Sequence, residues 1–440
     1  MAGGTFINQN KVRPGAYINF KSVPKPTSNV GTRGIVTMPL ALDWGISNKI
    51  IMVYSTDLVD GKCLDKIGYY GHEPQVQAIR EALKNSYLLL LYRLDTGGTK
   101  AATTLEGLTI TAKYPGVVGN RISIVIKELE NSKFNVITLL DNKVVHEQIA
   151  TTIETIQPNA WVDFLGTGEI VATAGKQLSE GTNGTVATEN YTSYLNAIKP
   201  KLWNTMGVYT TESAAKESIS KFIQDLRENK GKKVQAVLNE YITKDYEGII
   251  SVDDGYKTES ETVNVDGFVA YVAGLTAGTP INKSNTYHVI PGAIEIINPK
   301  DDTEIENALI SGKLVLSYRQ DEKVIIEQDI NTLSSFTLEK GKEFSKNRII
   351  RTLDDVNNTT KLIYEKTYIG KVDNNENGRN LFKAELVSYM TELQNMGAIR
   401  DFKTDDITIR QGNDIDSVVV ELAIWPVDAM EKLYLTVSVH

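Results

Sequence analysis

Four acidic pairs, Asp253-Asp254, Asp301-Asp302, Asp354-Asp355 and Asp405-Asp406, are the residues whose types and spacing could best do chemistry in this sequence. Neighbouring carboxylates can hold a metal ion, or divide acid and base roles when their pKa values are pushed apart. Each pair lies in polar sequence read as loop or as the outer face of a helix, where a solvated carboxylate is the default. The four histidines, His72, His146, His288 and His440, lie far apart, and none has a second histidine or cysteine at ligand spacing. Gly175-Lys176 resembles the end of a phosphate-binding loop, but Gln177 replaces the hydroxyl residue and Ile170 stands where the first glycine belongs. No Gly-x-Ser-x-Gly elbow occurs, and no Gly-x-Gly-x-x-Gly follows a strand. Cys63, the single cysteine, lacks a nucleophile motif and leaves no intramolecular disulfide. The expectation is a protein without catalysis, cofactor or metal.

Composition narrows the remaining classes. A chain of 440 residues has room for two to four domains, and 41% apolar with 23% charged residues is a globular balance. The net charge of -8 and the absence of basic runs argue against nucleic acid, which needs a clustered cationic face. The longest apolar run, about Leu88 to Leu91, falls far short of the ~20 residues that span a bilayer, so no membrane insertion is expected.

The elements change character along the chain. Residues 1–22 read as an extended arm, because Gly3, Gly4, Pro14 and Gly15 deny it a helix or a local core. Residues 23–102 begin an α/β rhythm: strands at Gly34–Pro39 and Lys49–Tyr54, helical spacing from Glu73, then a buried strand from Tyr87 to Leu94. Residues 103–180 alternate apolar and polar residues between turn residues and read as an inserted, sandwich-like β domain bordered by flexible polar joints. Residues 181–335 resume the α/β rhythm, with helices from Thr188, Ser213, Val265 and Asp302. Residues 336–430 carry two long helices, and Phe382, Leu386, Tyr389, Leu393 and Met396 share one face of the second. Strands ITIR and SVVVELAIW follow. In 431–440, Leu433, Leu435, Val437 and Val439 alternate with polar residues as a half-exposed strand, either in its own sheet or donated. The fold class is therefore multidomain, α/β with α+β character, carrying an all-β insert and strand-like tails.

Several stretches carry a resemblance. GGTFINQNKVRPGAYINFKS followed by GTRGIVTMPLALDWG, LTITAKYPGVVGNRISIVI in the β insert, NRIIRTLDDVNNTTK with TYIGKVDNNENGRNLFKAELVSYMTELQNMGAI, and the closing VVVELAIWPVDAMEKLYLTVSV together resemble the contractile tail sheath proteins of myophages and of phage-tail-like (R-type) bacteriocins, Gram-positive type. The resemblance implies stacked hexameric rings around an inner tube, an α/β core built from both ends of the chain, and an outward β domain. It also implies arms that add strands to neighbouring subunits, a use that open strand edges allow.

The residues follow from that expectation. Phe6, Val12, Tyr17, Ile18 and Phe20 would anchor the N-terminal arm, and Leu433, Leu435, Val437 and Val439 the C-terminal one. Ile407, Ile409, Val418, Val420 and Leu422 would form the acceptor strands, with Gly15, Pro24, Pro26 and Pro426 near hinges. Arg379 and Lys383 are expected to face the tube. Partners would be further copies of the chain, the inner tube protein, and baseplate and tail terminator proteins. Assembly would take place in the bacterial cytoplasm, before incorporation into an extracellular phage tail or bacteriocin particle. A tail tube or baseplate component is the rival structural reading, and a hydrolase using acid pairs the enzymatic one.

Overall fold

The computed structural model describes residues 2–4, 15–17, 33–59 and 61–439, in two units divided between Thr32 and Arg33. In the first unit, β1 (Ala2–Gly4) pairs in parallel with β2 (Gly15–Tyr17), Gly3 opposite Ala16. Of the expected arm anchors, Tyr17 lies in β2, while Phe6, Val12, Ile18 and Phe20 lie outside the described residues, as do Pro24 and Pro26.

The second unit begins with β3 (Ile35–Leu40), β4 (Ile50–Tyr54) and β5 (Leu88–Arg93), joined through short helices α1 (Ser55–Val59) and α2 (Leu64–Ile67) and the longer α3 (Gln77–Leu83). β3 and β5 run parallel, and β4 closes one edge antiparallel to β5. Every residue of β5 is buried, as expected for an apolar run in a sheet covered on both faces.

The chain then leaves this sheet to build a sandwich. Strands β6 (Ala102–Leu105), β7 (Leu108–Ala112), β8 (Ile122–Leu129), β9 (Lys133–Leu140), β10 (Lys143–Ala150), β11 (Val162–Gly166) and β12 (Thr173–Gln177) form one sheet of order β10-β9-β8-β12 and one of order β11-β7-β6. Asp141 and Asn142, both at positive φ, make the two-residue turn whose twist suits a hairpin between Leu140 and Lys143.

The borders of the insert are fixed rather than flexible. Asn183 Oδ1 accepts from the Val117 amide at 2.9 Å, while its Nδ2 donates to Asp43 Oδ1 at 2.6 Å. Asn120 brackets Gly181 with two bonds of 2.8 Å. At the exit of β5, Arg93 Nη1 donates to the carbonyls of Gly45 (3.0 Å) and Pro115 (2.8 Å), and its Nε and Nη2 hold Asp95. One apolar core runs through both layers: Trp44 stacks on Trp161 of the insert at 5.4 Å and meets the edge of Tyr114 at 5.2 Å. The polar side chains of these joints, though largely exposed, are committed to hydrogen bonds.

Past the insert come α4 (Thr188–Ile198), β13 (Thr205–Val208), α5 (Ser213–Gln224), β14 (Gln235–Asn239) and β15 (Ile249–Val252). Next are β16 (Gly255–Thr258), β17 (Thr262–Val263), α6 (Val265–Gly278), β18 (Ala293–Ile297), α7 (Asp302–Ile310), β19 (Lys313–Leu314), β20 (Leu316–Tyr318) and β21 (Val324–Ile326). The large sheet has the order β19-β15-β14-β13-β3-β5-β4. Helix α6 is buried along most of its length. Its small residues let it approach α3 so closely that a Cβ on Gly274 would lie 2.0 Å from the Ala82 carbonyl oxygen.

The C-terminal region supplies α8 (Asn347–Ile363), α9 (Glu376–Asn395), β22 (Ile399–Arg400), β23 (Ile407–Gln411), β24 (Val418–Leu422) and β25 (Trp425–Pro426). Among the described residues, the large sheet takes its strands from 35–93 and 205–314, with β3 parallel to β13. The C-terminal region joins through helices. Residues 427–439 form neither helix nor strand, so Leu433 through Val439 is not a strand of its own subunit. Pro426, expected near a hinge, is pinned opposite Ile399.

Because Trp44 bridges the α/β layer and the insert, Trp44→Ala is expected to cost about 3–5 kcal/mol and to leave one cooperative transition in urea monitored by circular dichroism. Two separated transitions would mean that the insert folds independently.

Candidate assembly surface

Two of the four acid pairs depart from the sequence reading, while Asp301, Asp302 and Asp405 are exposed as expected. Asp354 and Asp355 on α8 are buried, as is Asp254. Asp354 takes a bidentate grip from Arg227 at 2.7 and 2.8 Å, and Asp355 accepts from the Tyr389 hydroxyl at 2.6 Å. Asp254 is held by Lys300 and the Leu316 amide, and Asp253 by Lys313 at 2.6 Å. Asp301 caps α7, accepting from the Glu304 amide at 2.8 Å, and Asp406 accepts from the Lys403 amide at 2.7 Å. These carboxylates tie elements together.

The other chemical candidates are dispersed. His288 meets the Tyr271 hydroxyl at 2.9 Å, His146 lies 3.4 Å from Asn159 Nδ2, and His72 stacks on Tyr70, while His440 is outside the described residues. Cys63 is buried, which pushes its thiol up to about 11. Gly175 and Lys176 lie within β12, opposite β8, and not in a loop. Among the described residues no three His, Cys, Asp or Glu side chains converge to hold a metal ion, and no helix is long and apolar enough to cross a membrane.

What the structure does gather is an unfinished apolar sheet. In the β23–β24 hairpin Ile407 lies opposite Leu422, Ile409 opposite Val420, and Gln411 opposite Val418. Cross-strand partners share a face, so all five expected acceptor residues stand on one side of one hairpin. Val418, Val420 and Leu422 line a groove of about 400 Å³ with Val356, Tyr364 and Phe382. Its floor is stiffened by the cluster of Tyr364, Tyr368 and Phe382, with ring centroids 4.7–6.0 Å apart. Sequence reading missed Val356 and Tyr364 as groove residues. Their eight-residue spacing, with Thr360 between, is the signal that sets them on one face of α8 and the turn that continues it.

The outer edges of this hairpin pair with no strand among the described residues. The large sheet is managed differently at its β4 edge, where Lys66 Nζ takes the Met52 carbonyl at 3.1 Å and Asp57 takes the Tyr54 amide at 3.2 Å. Sealing one edge with charged side chains and leaving another open selects where a further strand can dock. The C-terminal segment has the complementary character. Leu433, Leu435, Val437 and Val439 are 70–92% exposed, apolar surface that a solitary subunit gains nothing by presenting.

On α9, Phe382, Leu386, Tyr389 and Leu393 are buried, whereas Met396, the last member of the expected face, is 37% exposed beyond the helix end. Arg379 and Lys383, one turn apart, are half-buried. Arg379 Nη1 donates to Asn374 Oδ1 at 2.9 Å and to the Asn374 carbonyl at 3.1 Å.

The C-terminal region is held to the sheet by charge. Asp329, fully buried, accepts from Arg351 Nη2 (2.8 Å), the Asn285 amide (2.9 Å) and Asn347 Nδ2 (3.0 Å). Burial opposes the charge, but Arg351 and these donors keep the Asp329 carboxyl below its ordinary range.

An α/β domain with an inserted β-sandwich, a helical C-terminal region, an open-edged hairpin and an exposed alternating tail defines a structural protein built to join copies of itself. Family models identify the lineage. Residues 33–94 match the tail sheath protein Gp18 domain III N-terminal region, and residues 96–183 the phage tail sheath β-sandwich domain. Residues 184–332 match the phage tail sheath central domain, and residues 339–440 the phage tail sheath C-terminal domain. The chain belongs to the phage tail sheath family and is a sheath subunit. It is 35% identical to the phage-like element PBSX protein XkdK of Bacillus subtilis over 100% of both chains. The sheath tail protein of Desulfitobacterium hafniense has a similar structure, with 41% identity and a TM-score of 0.84 over 96% of this chain and 99% of that one. The helical sheath of the anti-feeding prophage in its contracted state shares the fold at 10% identity, with a TM-score of 0.57 over 97% and 98% of the two chains.

Asp329 supplies a pH prediction. A carboxyl held below its unfolded value contributes stability that is complete above that value, near pH 4, and is lost as pH falls through the folded value. Asp329→Asn is expected to cost about 3–5 kcal/mol at pH 7, with the difference from the unaltered protein shrinking below about pH 4. Urea titrations at pH 7 and pH 3.5 measure it; an equal cost at both would refute the assignment.

Proposed function

We propose that this protein polymerises as stacked hexameric rings around an inner tail tube, and that the sheath contracts to drive the tube through a target cell envelope. The work is mechanical and uses neither catalysis nor cofactor. The observation that carries the reading is the open-edged β23–β24 hairpin beside a wholly exposed alternating tail in the same chain. A two-stranded sheet is marginal by itself and gains from added strands. The fold likeness to a contracted sheath is further support.

In this reading Leu433, Leu435, Val437 and Val439 of one subunit add a strand to the hairpin of a neighbour and extend its apolar face. Ordering these seven residues costs about 7–14 kcal/mol. Burying four Leu and Val side chains returns about 6–12 kcal/mol, and four ladder bonds about 4 kcal/mol. Each junction is then close to balanced, and the lattice is stable because every subunit is held at several junctions at once. The N-terminal arm, with Phe6, Val12, Tyr17, Ile18 and Phe20, would supply a second donated strand. Such tethers keep neighbours joined while the domains rotate and slide. Arg379 and Lys383 would meet acidic groups on the tube. Baseplate and terminator proteins would bound the sheath, assembled in the bacterial cytoplasm before export in a phage tail or bacteriocin.

Removal of residues 433–440 is expected to leave a folded monomer, with its circular dichroism spectrum and unfolding midpoint unchanged, that forms no tubes in negative-stain micrographs. Tubes of normal width from the shortened chain would end the strand-donation reading.

For the tube contact, Arg379→Glu combined with Lys383→Glu is expected to weaken sheath–tube co-assembly at low salt, with recovery when the tube carries reversed charge. Unchanged co-assembly at low and moderate salt would remove these residues from the contact.

A further inference from the structure

The exposed tail does not begin where the last strand ends. After β25, the Val427 amide donates to the Ala398 carbonyl at 3.0 Å, and four residues later the Glu431 carboxylate enters a polar socket. Its Oε1 accepts from Thr286 Oγ1 at 2.8 Å, and its Oε2 accepts from Gln328 Nε2 at 3.1 Å and from Lys346 Nζ. The Glu431 side chain is 10% exposed and Lys346 14%, unlike ordinary surface pairs of this protein such as Arg400–Asp401 at 66% and 70%. From Lys432 through Val439 every residue is exposed, so among the described residues Glu431 is the last one held by its own subunit. The socket is itself anchored, because Thr286 Oγ1 also accepts from the Asp329 amide at 3.0 Å and Lys346 sits at the start of α8.

We infer that Glu431 is a clip that sets the point and direction at which the C-terminal segment leaves its subunit, presenting residues 432–439 as a preset tether to a second copy of this chain. This rests on the strand-donation reading above and makes it specific. Eight residues from Lys432 to Val439 span at most about 29 Å, so the acceptor edge lies within that radius of Glu431. Without the clip the next anchor is Val427, and the free segment grows to twelve residues, 428–439. That lengthening lowers the effective concentration of the tail at its acceptor only about twofold. The larger effect is the ordering of residues 428–431, which the clip completes before the neighbour arrives. Preordering even one residue is equivalent to about tenfold in association.

The test uses the full chain with Glu431→Ala and, separately, Lys346→Met, and Asp321→Ala at an exposed pair as the control. Backbone amide NMR relaxation over 428–431 is read on the monomer, and the threshold concentration for tube formation by light scattering and microscopy. Both clip variants are expected to unfold at nearly the unaltered midpoint, to lose backbone order over 428–431, and to raise the threshold about tenfold or more; the control is expected to change neither. Glu431→Lys with Lys346→Glu should restore part of both. Unchanged backbone order would overturn the clip, and lost order with an unchanged threshold would overturn its role in presenting the tail. If the chain lacking residues 433–440 still assembles, strand donation itself fails, and the relaxation result separately decides whether the clip exists.

Discussion

The buried pair of Arg93 and Asp95 is the constraint on which the rest of the second unit depends. Both are at most 2% exposed, and a charge taken out of water must find partners for every donor and acceptor or the fold loses several kcal/mol. Here the partners come from four places. Asp95 accepts from the Leu42 amide at 2.8 Å and the Gly184 amide at 3.3 Å, while Arg93 reaches the carbonyls of Gly45 and Pro115. The end of β5, the loop after β3, the connection between β7 and β8 and the segment returning from the sandwich must all be in place for the pair to be satisfied. The insert is thereby fixed to the sheet, and β13 is brought back to pair with β3.

A protein that polymerises must bond to copies of itself at chosen places and refuse to bond elsewhere. The β4 edge is closed by Lys66 and Asp57, and the opposite edge of the large sheet ends in β19, only two residues long. The apolar face of β23 and β24 is instead left beside a groove, with edges that no strand of the same unit occupies. Closed edges guard against unwanted pairing, and in the proposed assembly the open one receives the donated strand.

The charged groups of the C-terminal region belong to the same design. Arg227–Asp354, Arg351–Asp329 and Tyr389–Asp355 join α8 to the sheet domain and to α9 through directional bonds. A lattice that changes its packing needs subunits that move as units, and buried ion pairs resist opening because a parted pair would strand a charge in low dielectric.

Much of this was legible in the sequence. Helical spacing placed α4, α5, α7, α8 and α9, alternation placed β7 to β10, and the tail residues Leu433 to Val439 were seen as a row of one-sided apolar side chains, because periodicity of two or 3.6 is written directly in residue order. That Ile407, Ile409, Val418, Val420 and Leu422 share one face was also legible, since alternation alone assigns them to it. The joints of the insert read as flexible because Gly, Asn and Thr compose loops and tight backbone-bonded corners alike. Asp254, Asp354 and Asp355 read as solvated because their partners Lys300, Arg227 and Tyr389 lie 34 to 127 positions away. Which strand β3 would pair with, which sheet edge would be closed, and where the tail would be released at Glu431 were decided only by tertiary structure. Each depends on groups distant in sequence meeting at hydrogen-bonding distance, and no local pattern records that meeting.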